Sequence, residues 1–176
     1  MRACVWIVRQ RMQKVNTLQG RLRNVVLLLI ALLIVVADQL TKIWIRSNLA
    51  VGQSMPDTGF FQITHVNNSG AAFGLFQGQT FALTVFASVI IVGLLLYVFF
   101  ISRRVHFLEN MLGRTVLGLV LGGAVGNLID RLRFGYVTDF IDVGLWPAFN
   151  IADSAVTVGV IIFAGSLLYP ARAEKR

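Results

Sequence analysis

The chain has 176 residues, of which 56% are hydrophobic and 14% charged. Its mean hydropathy is +0.74. Average soluble domains are about 45–50% apolar and about 25% charged, so these figures argue against a water-soluble globule and exclude a disordered chain. Sixteen basic residues against eight acidic ones give a net charge of +8, and the single cysteine, Cys4, excludes an intramolecular disulfide.

The first 23 residues hold Arg2, Arg9, Arg11, Lys14, Arg21 and Arg23 and no acid. They are open to two readings: a basic interfacial segment anchored by Trp6, or an unstructured extension, and a start at Met12 would leave every later span intact. An apolar run begins at Val25 and continues through Asp38 and Lys42 to Ile45, about 21 residues and long enough to span a bilayer. It is too long for a signal peptide and has no small-residue cleavage site, so it reads as a retained helix. Residues 46–80 are mixed. Within them Phe61-Gln62-Ile63-Thr64-His65-Val66 alternates weakly and predicts a short strand, after a turn at Pro56-Asp57-Thr58-Gly59. Further spans are predicted over 81–101, over the glycine-rich 115–136 and over 149–168. The fold expected is an all-α polytopic membrane protein: four transmembrane helices, with a small periplasmic β-containing segment between the first and second. A basic cytoplasmic extension, 1–23, precedes the membrane domain, 24–169, and a cytoplasmic tail, 170–176, follows it.

Charge predicts orientation. The N-terminus, Arg103, Arg104, Arg114 and the tail hold twelve of the sixteen basic residues, with Glu109 and Glu174, a balance of +10. Lys42, Arg46, Arg131 and Arg133 face six aspartates on the other side, a balance of −2. Basic residues stay cytoplasmic, so both termini are expected inside. The net charge then reflects topology, and no nucleic-acid partner is expected.

Ionisable side chains within spans are costly and mark functional sites. At about 1.5 Å per residue, Asp38 falls roughly 20 Å from the inner end of the first span, with Lys42 one turn further out. Asn127, Asp130 and Arg131 fall in the outer half of the third span, Asp139 just past it, and Asn150 and Asp153 in the first turns of the fourth. All therefore gather at the outer interface. Asp38 and Lys42 are spaced i,i+4 and read as a buried pair, as do Asp130 and Arg131. With those pairs formed, only Arg46 and Arg133 remain basic on that side, so Asp139 and Asp153 stand as two carboxylates suited to general acid/base chemistry. Gly118, Gly122 and Gly126 on the third span, with Ala155 and Gly159 on the fourth, predict close approach of those two helices. There is no HExxH, and His65 and His106 fall on opposite sides, so no metal site is expected. A hydrolase using Ser69 or Ser154 with Lys42 is a weaker alternative.

Five segments carry a resemblance. They are Asp38-Gln-Leu-Thr-Lys42, Asn68-Ser-Gly-Ala-Ala-Phe73, Gly122-Gly-Ala-Val-Gly-Asn-Leu-Ile-Asp-Arg131, Val137-Thr-Asp-Phe140 and Pro147-Ala-Phe-Asn-Ile-Ala-Asp-Ser154. In order and spacing they resemble the lipoprotein signal peptidases, the type II signal peptidases of bacteria; residues 1–23 carry none of the motifs. The resemblance implies an aspartyl endopeptidase of the inner membrane, with its active site on the periplasmic side. It would cleave diacylglyceryl-modified prolipoproteins just before the lipidated cysteine, without metal or organic cofactor, and a monomer would suffice. It places the catalytic aspartates at Asp139 and Asp153. Asp38, Lys42, Asn68, Gly70, Asn127, Asp130, Arg131, Asn150 and Ala152 match positions that bind substrate or support the site. The rival from another class is a small proton-coupled transporter with a carboxylate relay, which would place polar residues through the whole depth or at the midplane.

Overall fold

The computed structural model describes residues 2–70, 76–101 and 110–168. Among them, in chain order, are helix α1 (Arg2–Asn48), strands β1 (Ser54–Met55) and β2 (Gln62–Asn68), helices α2 (Thr80–Leu96) and α3 (Met111–Phe134), strand β3 (Val137–Asp142) and helix α4 (Ile151–Leu168). Part of one motif, Ala71-Ala72-Phe73, lies outside the described residues, as do Arg103, Arg104 and the tail 170–176.

Among the described residues, three segments are long and apolar enough to cross a membrane: Gln19–Asn48 of α1, all of α3 and all of α4. The helix expected over 81–101 is shorter in its regular part. α2 has 17 residues, and the chain then widens into a π-helical turn over Tyr97–Ile101. The basic N-terminal stretch is helical and continuous with the first span rather than separate from it.

Helix limits follow from capping chemistry. Asn110 opens α3 by accepting the Gly113 amide on Oδ1 at 2.7 Å. Gly135, at φ 77°, closes it in the left-handed conformation that glycine adopts without a Cβ penalty. Arg131 and Arg133 in the last turn complement the negative end of the dipole. That end turns the chain directly into β3.

α3 is the central helix. Half of its apolar window is buried within the protein, against 17% for α1 and for α4. Its glycines explain the closeness of its neighbours, but not as the sequence suggests. A Cβ at Gly118 or Gly122 would meet α1, at Leu27 and Ile30 or at Ala31 and Ile34. Gly126 faces Asp38 and Ala152, and Gly123 abuts the Ala152 backbone of α4. The i,i+4 ridge therefore receives α1, while Gly123, about 100° around the helix, receives α4. Gly159 of α4 packs on Val116 and Val120 as expected. One apolar cluster, with Leu27, Ala31, Ile91, Leu117 and Leu121, joins α1, α2 and α3.

A small sheet stands over one end of the bundle, in antiparallel order β1-β2-β3. Its third strand comes from between α3 and α4, so the β structure is not confined to the segment after α1. Ile63 pairs with Ile141 but Val66 with Asp139, so β2 carries one extra residue there, a bulge. Ile45 of α1 and Leu49 just past its end pack with Phe140 beneath the sheet, and the His65 ring donates from Nδ1 to Leu49 O at 2.8 Å. The start of α2 belongs to the same end, since Thr80 Oγ1 donates to Ser69 O.

Gly122→Ala and Gly123→Ala are each expected to destabilise the protein by about 1–3 kcal/mol, because the new methyl meets neighbouring backbone that cannot swing aside. Gly93→Ala has open space around it and is expected to leave the Tm in detergent unchanged or raised. Thermal unfolding of the three variants checks this.

Candidate active site

Every site residue singled out from the sequence lies at the sheet end of the bundle. At its centre is Lys42 on α1, with no exposed surface. Its Nζ lies 2.9 Å from Asp38 Oδ2 and 3.2 Å from Asp130 Oδ2, and donates to Asn127 Oδ1 at 2.9 Å. The Asp38–Lys42 pair is therefore present, but Asp130 pairs with Lys42, and with Arg46 at 3.5 Å, rather than with Arg131. Consecutive residues on a helix do not face each other, which is why the expected Asp130–Arg131 pair is not made. The other oxygen of Asp38 accepts the amide of Ala152 at 3.1 Å, tying α1 to the first turn of α4.

Asn127 carries this arrangement outward. Its Oδ1 also accepts from Asn150 Nδ2 at 3.1 Å, and its Nδ2 donates to Asp153 Oδ1 at 2.7 Å. Asn150 Nδ2 donates in turn to Asp139 Oδ1 at 2.7 Å, and Asn68 Nδ2 to Asp139 Oδ2 at 2.9 Å. Asn68 is held by its own Oδ1, which accepts the Gly70 amide at 2.9 Å. Arg131 Nη2 donates to Gly70 O at 3.0 Å. Its charge falls within electrostatic range of Asp153 and Asp139.

The two outer carboxylates arrive by different routes. Asp139 sits on β3 and is 2% exposed. Asp153 is the third residue of α4 and closes a capping box: Asn150 Oδ1 accepts the Asp153 amide at 2.9 Å, and Asp153 Oδ2 accepts the Asn150 amide at 3.3 Å. Both side chains line one cavity of about 680 Å³, with Asn68, Asn127 and Arg131 around them and residues of the Trp146–Phe149 loop and of α4 as the apolar wall. Neither carboxylate is ion-paired among the described residues. Burial, and then the negative charge of Asp153, push the Asp139 carboxyl up to about 7, against the opposing hydrogen bonds of Asn68 and Asn150. No group of three or more His, Cys, Asp and Glu side chains is placed to hold a metal ion among the described residues.

Gln39 and Arg46 belong to the site and were not singled out by charge spacing. Gln39 Nε2 faces Asp38 Oδ2, Asp130 Oδ1 and the Gly126 carbonyl at 3.1–3.2 Å. Its place beside Asp38 in the first motif was the available signal. Arg46 had only its position one turn beyond Lys42.

Apolar helices of spanning length, a polar site at one end of the bundle and a cavity holding two carboxylates without an ion-pair partner among the described residues define a helical membrane protein with a candidate acid/base centre. A family profile described as signal peptidase (SPase) II matches residues 30–169; the chain belongs to this family and is a peptidase. A lipoprotein signal peptidase of Dehalococcoides mccartyi is 57% identical over 127 residues, covering 72% of this chain and 79% of that one. One of Moorella thermoacetica is 46% identical over 153 residues, covering 85% and 97%. A solved bacterial membrane enzyme, determined by the in meso method at 2.3 Å, superposes with a TM-score of 0.74 at 33% identity, over 82% of this chain and 88% of its own.

Two outcomes are expected. Lys42→Met leaves Asp38 and Asp130 buried without the shared cation and costs about 3–5 kcal/mol of stability, read as a loss of Tm. For Asp139, the folded protein holds the proton up to about 7, whereas an unfolded chain releases it near pH ~4. The stabilising contribution of this group is full below about pH 4 and is lost as pH rises through the folded value. Asp139→Asn is therefore expected to show a smaller change in Tm than the parent between about pH 4 and pH 7.5.

Proposed function

We propose that this protein is an aspartyl endopeptidase of the bacterial inner membrane, which removes signal peptides from diacylglyceryl-modified prolipoproteins by cutting just before the lipidated cysteine. One observation carries the reading: Asp139 and Asp153, brought from a strand and a helix, face one cavity, each held by an asparagine amide and neither neutralised by a cation among the described residues. Relatives named lipoprotein signal peptidase support the substrate class.

Burial and the charge of Asp153 let Asp139 keep a proton up to about 7, so one proton held at the pair serves the reaction. The ionised member takes a proton from a water molecule, whose oxygen adds to the carbonyl carbon of the scissile peptide. The protonated member hydrogen-bonds the developing oxyanion. Collapse of the tetrahedral intermediate breaks the C–N bond, and a proton passes to the departing amine. Asn68, Asn127 and Asn150 orient the carboxylates, Arg131 fixes the chain at Gly70 and adds positive charge, and Asp38, Lys42, Asp130 and Ala152 brace them from within. The reaction assigns no metal or organic cofactor.

The proposed topology has four crossings, α2 and its π turn forming the second. The sheet and cavity lie on the periplasmic side, and residues 1–23 and 170–176 in the cytoplasm. The distribution of basic residues supports it. The cavity admits the scissile bond at the interface while the lipid chains remain in hydrocarbon. A monomer is sufficient, because one chain supplies both carboxylates. A proton-coupled transporter finds no support in the family assignment, nor in the apolar cluster that fills α1, α2 and α3 away from the sheet.

Asp139→Asn and Asp153→Asn are each expected to slow cleavage of a lipidated model prolipopeptide by at least about 10²-fold while the protein stays folded. A purified variant of either kind that keeps more than about a few per cent of the parent rate overturns the dyad.

A further inference from the structure

Arg46 takes no part in the chemistry proposed above, and it lies outside the five motif segments. It occupies the last turn of α1. Its Nη1 donates to Thr138 Oγ1 at 2.9 Å and stands 3.5 Å from Asp130 Oδ1. Its guanidinium carbon lies 4.6 Å from the centre of the Phe134 ring. The side chain is 15% exposed. Such a cation is held in one place by geometry that a flexible surface ion pair lacks.

The other end of that contact is the residue before Asp139. Thr138 has no exposed surface and is gripped at three atoms from three helix ends. Its amide donates to Asp130 Oδ2 at 3.0 Å, its hydroxyl accepts from Arg46, and its carbonyl accepts from Asn150 Nδ2 at 3.4 Å. The sheet pairs Thr138 with Asn67, but its register breaks just beyond Asp139, between Ile63 and Val66, so the helix contacts at Thr138 add a hold on the bulge side.

We propose that Arg46 is a positioning residue for the cleavage reaction: with Asp130 it clamps Thr138, and so sets where the Asp139 carboxylate stands relative to Asp153. The inference rests on the dyad reading and deepens it. Arginine suits the task. One edge of its planar fork meets the hydroxyl and the carboxylate while its face lies on Phe134, a combination a lysine ammonium cannot reproduce. Lys42 cannot substitute, since its own donors already meet Asp38, Asp130 and Asn127. Misplacement of a reacting group by about 1 Å costs about 10²-fold in rate, so loosening this clamp is read in turnover.

The test uses the full chain in detergent micelles, with a diacylglyceryl model prolipopeptide, and measures kcat, KM, the pH dependence of kcat and Tm. Thr138→Val removes the hydroxyl at nearly constant volume, Arg46→Gln removes the cation, and Thr138→Ser and Arg46→Lys are the conservative partners. Thr138→Val and Arg46→Gln are expected to lower kcat by about tenfold or more with KM within about twofold of the parent. The pH profile of kcat shifts with them, because proton sharing depends on the separation of the carboxylates. Thr138→Ser recovers most of the loss and Arg46→Lys part of it. If only Tm falls and kcat per folded molecule is that of the parent, Arg46 is a structural brace and the proposal is overturned. A raised KM with unchanged kcat overturns it as well. Should Arg46→Gln fail to fold, the comparison of Thr138→Val with Thr138→Ser decides alone: equal kcat in the two refutes the clamp. Asp139→Asn and Asp153→Asn run in parallel separate the two levels. Full activity in either sinks the dyad, whereas inactive Asn variants beside a fully active Thr138→Val sink only the clamp.

Discussion

The ammonium of Lys42, sealed between α1 and α3, is the constraint from which the site follows. An ion with no exposed surface costs several kcal/mol unless its hydrogen-bonding capacity is met. Here Asp38, Asp130 and the Asn127 oxygen meet it. Each of those partners is thereby committed. With its oxygen turned to Lys42, Asn127 has only its NH2 left to present, and that group faces Asp153. Burying one cation thus settles the direction of an amide whose two ends are otherwise nearly interchangeable. Asp38, bound on one oxygen, uses the other to hold the start of α4.

The two carboxylates facing the cavity are carried by elements of different stiffness. Asp153 belongs to a helix packed on α3 through Gly123 and Gly159, where small residues let the backbones approach and leave little freedom to slide. Asp139 belongs to a strand in a small sheet whose outer strand has only two residues, so the sheet depends on what it packs against. The strand borrows rigidity from the helices: Phe140 is set into Ile45 and Leu49 below, and Thr138 is held by Asp130, Arg46 and Asn150. The order of the chain helps, because β3 leaves α3 through a single glycine turn at Gly135.

What could be read from the sequence divides along physical lines. Apolar runs define helices locally, so α3 and α4 were legible to within a few residues, their ends shifted only by caps at Asn110, Gly135 and Asn150, whereas α1 begins at Arg2, well before the apolar run that marks its span. The gathering of Asp38, Lys42, Asn127, Asn150, Asp139 and Asp153 at one end was also legible, because depth along a helix is counted in residues. Direction around a helix was harder. Asp130 was matched with its neighbour Arg131, whereas a step of about 100° per residue sends it to Lys42 and Arg46 on another helix. The glycine ridge was given to α4 for the same reason. It faces α1, and Gly123, one step aside, serves α4. Strand β3 was missed because Val137-Thr138-Asp139-Phe140 is buried at all four positions, so the alternation that reveals a half-exposed strand is absent.

Asp153 serves two masters. The carboxylate that looks into the cavity also closes the first turn of α4 by accepting the Asn150 amide. Its reach is therefore gauged by the pitch of that turn, as a caliper jaw is by its screw. A glutamate in its place, one methylene longer, would overshoot both duties together. The α4 entrance is in this sense a measuring device, and the spacing it enforces between the two acids is written in backbone rather than in side-chain freedom.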